Sequence, residues 1–435
     1  MSDSGISRRQ FVTAGGAAMV AGLAGCSETG GATTDTASSS DTVKIGVLED
    51  QSGNFALVGD PKYKASMLAI QEINNNGGID GKQIEPVTRD PQSDNQRYQE
   101  LTREFINEEG VDALWAGYSS ATREAIRPII NRNEQLYFYT TQYEGGVCDK
   151  TTFAMGPTAR QQLGTVLPYL VEEYGPKIYT IAADYNFGQL SADWVEVLAD
   201  ENDAEVVADP EFIPLSESSF GSVINNIQDA DPDFVMSMLV GANHTSFYEQ
   251  KASAGLDVPI GTSTAMAQGY EHERLDPPAM ANIYAGVNYM QEVPTTSNTE
   301  DGGFVDRYFE KYPDAPYLNE EAETNYFSTY MYKEAVEQAG TLEQPEVIEA
   351  LESGITLGTE RAPEAPEGEE IALDGATHHV DHHMWVMRAD DEHNVEAVEN
   401  RKVPEQFLSE TVGCNLPEES EQTQYTPVDY FEEAE

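Results

Sequence analysis

Short apolar runs alternate with longer stretches whose apolar residues recur every three or four positions, and this rhythm occurs twice along the chain. From Thr42, residues 43–48 predict a strand and 61–73 a helix with Tyr63, Met67, Ile70 and Ile73 on one face, stopped at Gly77-Gly78. Strands over 84–87, 113–116 and 136–139 follow, separated by helices over 94–109 and 120–132. The second series predicts strands over 177–182, 205–210, 234–239 and 258–261, with helices over 188–202, 220–227 and 245–254. A β-α-β succession of this kind closes as a parallel sheet with helices on both faces. The expected fold is therefore α/β, two doubly wound parallel-sheet lobes with a ligand cleft at the carboxyl ends of their strands.

Later segments predict helices over 304–312 and 325–339, an acidic Pro-rich loop over 361–370, and a strand over 378–388. Chain crossings near 157, 287 and 379 give a three-segment hinge. One lobe is then 42–157 plus 287–378, and the other 158–286 plus 379–435.

Before the first strand lies an address. Arg8-Arg9 precedes an apolar Gly/Ala-rich stretch shorter than the roughly 20 residues of a membrane span, ending in Leu23-Ala24-Gly25-Cys26. This resembles a twin-arginine export signal with a lipoprotein box, so residues 1–26 are expected to end at a lipidated Cys26. Residues 27–41 are a polar low-complexity run expected to act as a flexible tether. The protein would then sit on the extracellular face of the cell membrane, held by its lipid. Two cysteines remain, Cys148 and Cys414, and both a disulfide and a pair of free thiols are open readings.

Charge narrows the partners. Asp and Glu number 77 against 24 Lys and Arg, a net charge of −53 spread along the whole sequence. Nucleic acid is excluded as a partner by repulsion. In dilute buffer such a surface repels itself, whereas at molar salt the Debye length is about 3 Å, so a halophilic protein is expected. The acids are assigned to the solvated exterior and the cleft is expected to be almost uncharged.

Lys44-Ile45-Gly46-Val47, Ile73-Asn74 and Gly77-Gly78-Ile79-Asp80-Gly81-Lys82, together with the export signal and paired lobes, resemble the type I periplasmic binding proteins that serve ABC importers. The resemblance covers most of the chain after residue 41. Asp90-Pro91, Arg97-Tyr98, the run Gly117 to Arg123, the run Tyr139 to Gly145 and Asp184-Tyr185 are most similar to the branch that binds urea and short-chain amides. The resemblance implies a small-molecule ligand, a permease and ATPase subunits as partners, no cofactor and no catalysis.

The residues themselves agree. Tyr118, Ser119 and Ser120 lie where a strand gives way to a helix, so hydroxyls and free helix-start N–H groups can meet a ligand oxygen. The plainer reading is that one of these serines only caps the helix. Tyr139, Thr141 and Tyr143 lie just past the next strand, and Tyr185 holds the matching place in the second lobe. Aromatic walls with a few hydroxyls suit a small planar amide. The resemblance implies ligand contacts from Ser120, Tyr139, Thr141 and Tyr185, with Tyr118 shaping the pocket. Asn243, after a second-lobe strand, is a further polar candidate.

A branched-chain amino acid is the alternative ligand. The similarity to branched-chain amino-acid binders implies a second-lobe carboxylate for the ligand ammonium in the segment matching 261–266, where no Asp or Glu occurs. Two other classes compete. His378, His379, His382 and His383 with Asp381 invite a metal, although strand alternation would divide them between faces. Glu144, Cys148 and Lys150 contain the residue types of an amidase triad, crowded on one loop.

Overall fold

A computed structural model describes residues 42–428. The export signal, Cys26 and the tether lie outside the described residues.

The chain begins with β1 (Thr42–Leu48), α1 (Ala56–Asn75), β2 (Gln83–Thr88), α2 (Asn95–Glu104), β3 (Ala113–Ala116), α3 (Ser120–Asn133), β4 (Tyr137–Tyr139), β5 (Val147–Asp149) and β6 (Thr152–Ala154). It continues with α4 (Ala159–Tyr174), β7 (Lys177–Ala183), α5 (Asn186–Glu201), β8 (Glu205–Val206), β9 (Glu211–Ile213), α6 (Gly221–Ala230) and β10 (Phe234–Met238). Next come α7 (Ala242–Ala254), β11 (Ile260–Thr262), α8 (Glu271–Arg274), β12 (Ile283–Val287), α9 (Thr296–Thr299) and α10 (Phe304–Lys311). The last elements are α11 (Glu320–Ala339), α12 (Gln344–Glu352), β13 (Thr356–Gly358), β14 (Glu370–Asp374), β15 (His379–Ala389), β16 (Val395–Val403) and β17 (Gln422–Gln424).

Two parallel arrays result, β2-β1-β3-β4-β6 and β12-β11-β10-β7-β8, as the repeated β-α-β pattern requires. They meet at β15. Its first residues pair with β14 and, through His379, with Ala154 of β6, while Trp385 to Ala389 pair antiparallel with β12. One core joins Val43, Ile45, Trp115 and Phe138 to Tyr326, Phe327 and Met331 of α11. Trp115 stacks on Phe138 at 4.4 Å between ring centres and donates to Ser328 at 2.9 Å. The second array is covered on one side by Leu163, Val166 and Leu170 of α4 with Trp194 and Val195 of α5, and on the other by Ile224, Phe247 and Tyr248.

Of the expected strand over 205–210 only Glu205–Val206 is strand, and β9 begins after it at Glu211; Pro210, just before β9, has no N–H to give a ladder. The expected helices over 61–73 and 325–339 both start earlier, at Ala56 and Glu320. In α11 the Asn319 side chain accepts from the Ala322 N–H at 3.0 Å, and Glu320, Glu321 and Glu323 lie in the first turn, where the helix dipole favours anions. Apolar periodicity fades among these acids, yet all three are buried. No helix among the described residues is long and apolar enough to cross a membrane.

Candidate functional site

The carboxyl ends of β3 and β4 build one wall. After β3, Gly117 turns the chain at φ +89, and Ser119, extended, caps α3 by accepting from the Thr122 N–H at 3.1 Å. Ser119 therefore serves the helix. Ser120 is left at the first helical position, where its hydroxyl donates to Glu144 Oε2 at 2.5 Å. Arg123, one turn on, donates from Nη2 to Glu144 Oε1 at 2.7 Å and lies over the rings of Tyr139 and Tyr143. Both charges of this pair are fully buried, an arrangement that is tolerable only because each is compensated. The Tyr139 hydroxyl donates to the Tyr118 carbonyl at 2.7 Å, tying the two strand ends together.

Lys62, on α1, reaches the same place from behind. Its buried ammonium contacts the Gly117 carbonyl at 2.7 Å, Thr141 Oγ1 at 2.9 Å and Glu49 Oε2 at 3.0 Å. Thr141 is thus placed beside the wall with its hydroxyl already engaged. Burial pushes Glu49 up to about 7, against the pull of Lys62.

Across the cleft, Tyr185 precedes α5, where burial first, and then the Glu144 charge and the Tyr139 phenol, hold its hydroxyl above the usual tyrosine range. The Tyr118 hydroxyl donates to Gln268 Oε1 at 3.2 Å, and Gln268 Nε2 donates to Glu321 Oε1 at 2.5 Å. Glu321 is raised to about 7, chiefly by burial. A cavity of about 40 Å³ lies between Phe55 and Tyr118 on one side and His244, Thr264, Gln268 and Glu271 on the other. A larger open hollow of about 900 Å³, beside α12 and residues 417–422, touches none of the expected ligand residues.

Tyr118, Ser120, Tyr139 and Tyr185 therefore gather around one place, with Thr141 behind them. Of the expected ligand residues the cavity of about 40 Å³ is lined by Tyr118 alone; Asn243 is outside that lining, its amide donating to the Pro214 carbonyl at 2.9 Å, while the adjacent His244 lines the cavity. The expectation of an uncharged cleft is corrected by buried Glu49, Glu144, Glu271 and Glu321, together with Lys62 and Arg123. A carboxylate reaches the 261–266 segment from five residues further along the chain. Glu271 folds back to accept from the Met266 N–H at 2.9 Å and lines the cavity. Burial pushes its carboxyl up, but the contact with His244 and the backbone N–H donors, Met266 among them, together hold it below its usual range.

Of these missed groups, Glu144 and Arg123 stood within the runs that carried the resemblance, and Asn319 followed by acids is a legible helix start. Gln424, which donates to Glu144 Oε1 at 2.7 Å, had no local signal at all.

The rival chemistries fare differently. Cys148 is bonded to Cys414, with Cα atoms 6.2 Å apart, and Lys150 is paired with Glu352, so the residues of the amidase reading have neither a free thiol nor a shared site. The four clustered histidines turn to separate partners. His378 faces Glu352 at 3.0 Å, His379 the Tyr143 hydroxyl at 2.6 Å, His382 Glu364 at 2.9 Å and His383 Glu369 at 3.5 Å. Burial lowers His379 to about 4, in keeping with a neutral structural ring.

Residues 42–394 match the family model for periplasmic binding proteins. The chain is 25% identical to Leu/Ile/Val-binding protein homolog 7 of Brucella melitensis over 335 residues, 71% of this chain and 80% of that protein. It is 26% identical to homolog 8 of Brucella abortus over 353 residues, 76% and 82% of the two chains. Among solved structures it resembles a solute-binding protein of an ABC transporter from Rhodopseudomonas palustris in complex with 3,4-dihydroxybenzoic acid. That likeness has a TM-score of 0.72 at 18% identity and covers 84% of this chain and 98% of the other. A branched-chain amino acid transporter substrate-binding protein from Streptococcus pneumoniae in complex with isoleucine gives 0.69 at 21%, covering 83% and 99%. The family match runs from β1 past the end of β15, through both arrays and the strand that joins them, and the chain belongs to the periplasmic binding protein family.

Proposed function

We propose that this protein is the substrate-binding subunit of an ABC importer and captures urea or a short-chain amide between its two arrays. The observation that carries the ligand class is the convergence of Tyr118, Tyr139 and Tyr185 on Ser120 and the buried Glu144–Arg123 pair. Glu144 is an acceptor for ligand N–H groups, the Ser120 hydroxyl, whose proton goes to Glu144, is a second acceptor, and the first backbone amides of α3 are donors for a carbonyl oxygen. Arg123 already balances the Glu144 charge, which suits an uncharged ligand.

An amino acid is the second reading. Glu271 and Glu321 beside Tyr118 offer the carboxylates that an ammonium needs, and the relatives bear Leu/Ile/Val-binding names. Calorimetric titration with urea, acetamide and isoleucine in molar salt separates the two. The amide reading expects binding of urea or acetamide at least about tenfold tighter than isoleucine; isoleucine alone binding would reverse the order.

In this reading ligand bridges Ser120 and Tyr185, and closure about the crossings near 157, 287 and 379 stabilises the form that the permease and its ATPase subunits receive. A lipidated Cys26 and the 27–41 tether would hold the two lobes outside the membrane within reach of that permease.

A further inference from the structure

We propose that the carboxyl-terminal strand is a strap that fixes Glu144 in the ligand cleft, with Gln424 as its positioning residue. The inference rests on the reading above that Glu144 faces the ligand.

The backbone of Glu144 is held on one side, where its carbonyl accepts from Trp194 Nε1 at 2.9 Å. Glu144 is followed by Gly145 and Gly146, at φ +93 and +86, a conformation that a glycine pair adopts and leaves easily. The strap supplies what that pair lacks. β17 pairs antiparallel with β5, placing Gln424 opposite Val147 and Thr423 opposite Cys148. The Tyr425 N–H donates to the Gly146 carbonyl at 2.8 Å and the Lys150 N–H to the Glu421 carbonyl at 3.1 Å. The Cys148–Cys414 bond closes the same unit covalently.

From this strand one side chain reaches inward. Gln424 Nε2 donates to Glu144 Oε1 at 2.7 Å and to the Gly145 carbonyl at 3.1 Å, while its Oε1 accepts from Arg123 Nη2 at 3.3 Å. The amide therefore touches both members of the buried ion pair, and its two ends match their opposite needs. With Ser120 on Oε2, and Arg123 and Gln424 on Oε1, the carboxylate has one orientation. Without Gln424, Oε1 is left to Arg123 and a long contact from Asn186 at 3.4 Å, and the carboxylate is free to turn toward the guanidinium and away from a ligand. The approach is close. A Cβ built on Gly146 would lie 1.9 Å from the Tyr425 carbonyl oxygen, so the strap fits only against glycine.

The test is calorimetric titration of the mature chain in molar salt with urea, acetamide and isoleucine as probes. It compares wild type, Gln424→Leu, Glu144→Gln and the double variant. Gln424→Leu is expected to weaken binding at least about tenfold, as loss of a hydrogen bond to a charged group does. The double variant is expected to bind no more weakly than Glu144→Gln alone, because Gln424 acts through Glu144. Gly146→Ala, which displaces the strap and Gln424 with it while leaving the Gln424 side chain chemically unchanged, should weaken binding in the same direction. If Gln424→Leu does not fold, Gln424→Asn, one methylene too short to reach, takes its place with the same expected result. Wild-type affinity in the Gln424 variant, or fully additive losses in the double variant, would overturn the proposal. Should wild type bind none of the probes, the ligand assignment fails, and hydrogen exchange over residues 144–149 decides the strap. Faster exchange there in the Gln424 variant supports it, and unchanged exchange overturns it.

Discussion

Ser119 and Ser120 are neighbours of one type with different work. Ser119 spends its hydroxyl on the Thr122 amide, and Ser120 donates to a buried carboxylate. Ser120→Ala should therefore cost ligand affinity about tenfold or more by calorimetry, since it leaves Glu144 Oε2 without its donor. Ser119→Ala should instead lower stability by about 1 kcal/mol in a denaturant titration with affinity nearly unchanged. Position next to a strand end identified the pair, but not which serine does which, because the answer depends on where the helix begins by a single residue. The cleft carboxylates were illegible for another reason. In a chain with 77 acids, a buried Glu looks like every solvated one, and only the tertiary arrangement of Lys62 and Arg123 distinguishes Glu49 and Glu144.

At the scale of elements, β6, α4 and β12 drew no expectation, whereas most other strands and helices of the two arrays were legible because apolar periodicity and Gly stops agree there. The first turn of α11 was not, since its buried face is made of glutamates. These acids carry a consequence. Burial raises Glu49, Glu321 and Glu405 from near 4.5 to about 7, and pushes Glu320 and Glu323 up as well. A carboxyl that keeps its proton longer when folded adds stability that is complete below about 4.5 and is lost as pH rises through about 7. His379, lowered by burial to about 4, acts oppositely between about 4 and 6.5, and His378, also held low by burial, acts in the same direction as His379. With more carboxyls than histidines involved, the unfolding midpoint in molar salt should be a few degrees lower at pH 7.5 than at pH 5.5, and calorimetry showing the reverse slope would contradict the assignment. The Cys148–Cys414 bond spans 266 residues of sequence, so replacing both cysteines by serine should cost about 2–5 kcal/mol in denaturant unfolding.

For the whole molecule, the net charge of −53 and the arrangement of the cleft answer different demands. Most acids lie on the exterior, where their mutual repulsion is screened only at high salt. The thermal midpoint should accordingly climb steeply from millimolar to molar salt, and a flat profile would remove the halophilic reading. Inside, a few carboxylates are kept because each has a partner, and they give the cleft acceptors that a surface count could not reveal. The most direct measurement of the central claim is a high-resolution structure of the protein with urea or acetamide bound. The predicted result is ligand N–H groups on the Glu144 carboxylate and the Ser120 hydroxyl, the ligand oxygen at the start of α3, and Tyr185 closing over it. A ligand seated instead with an ammonium on Glu271 or Glu321, and no contact to Glu144, would contradict it.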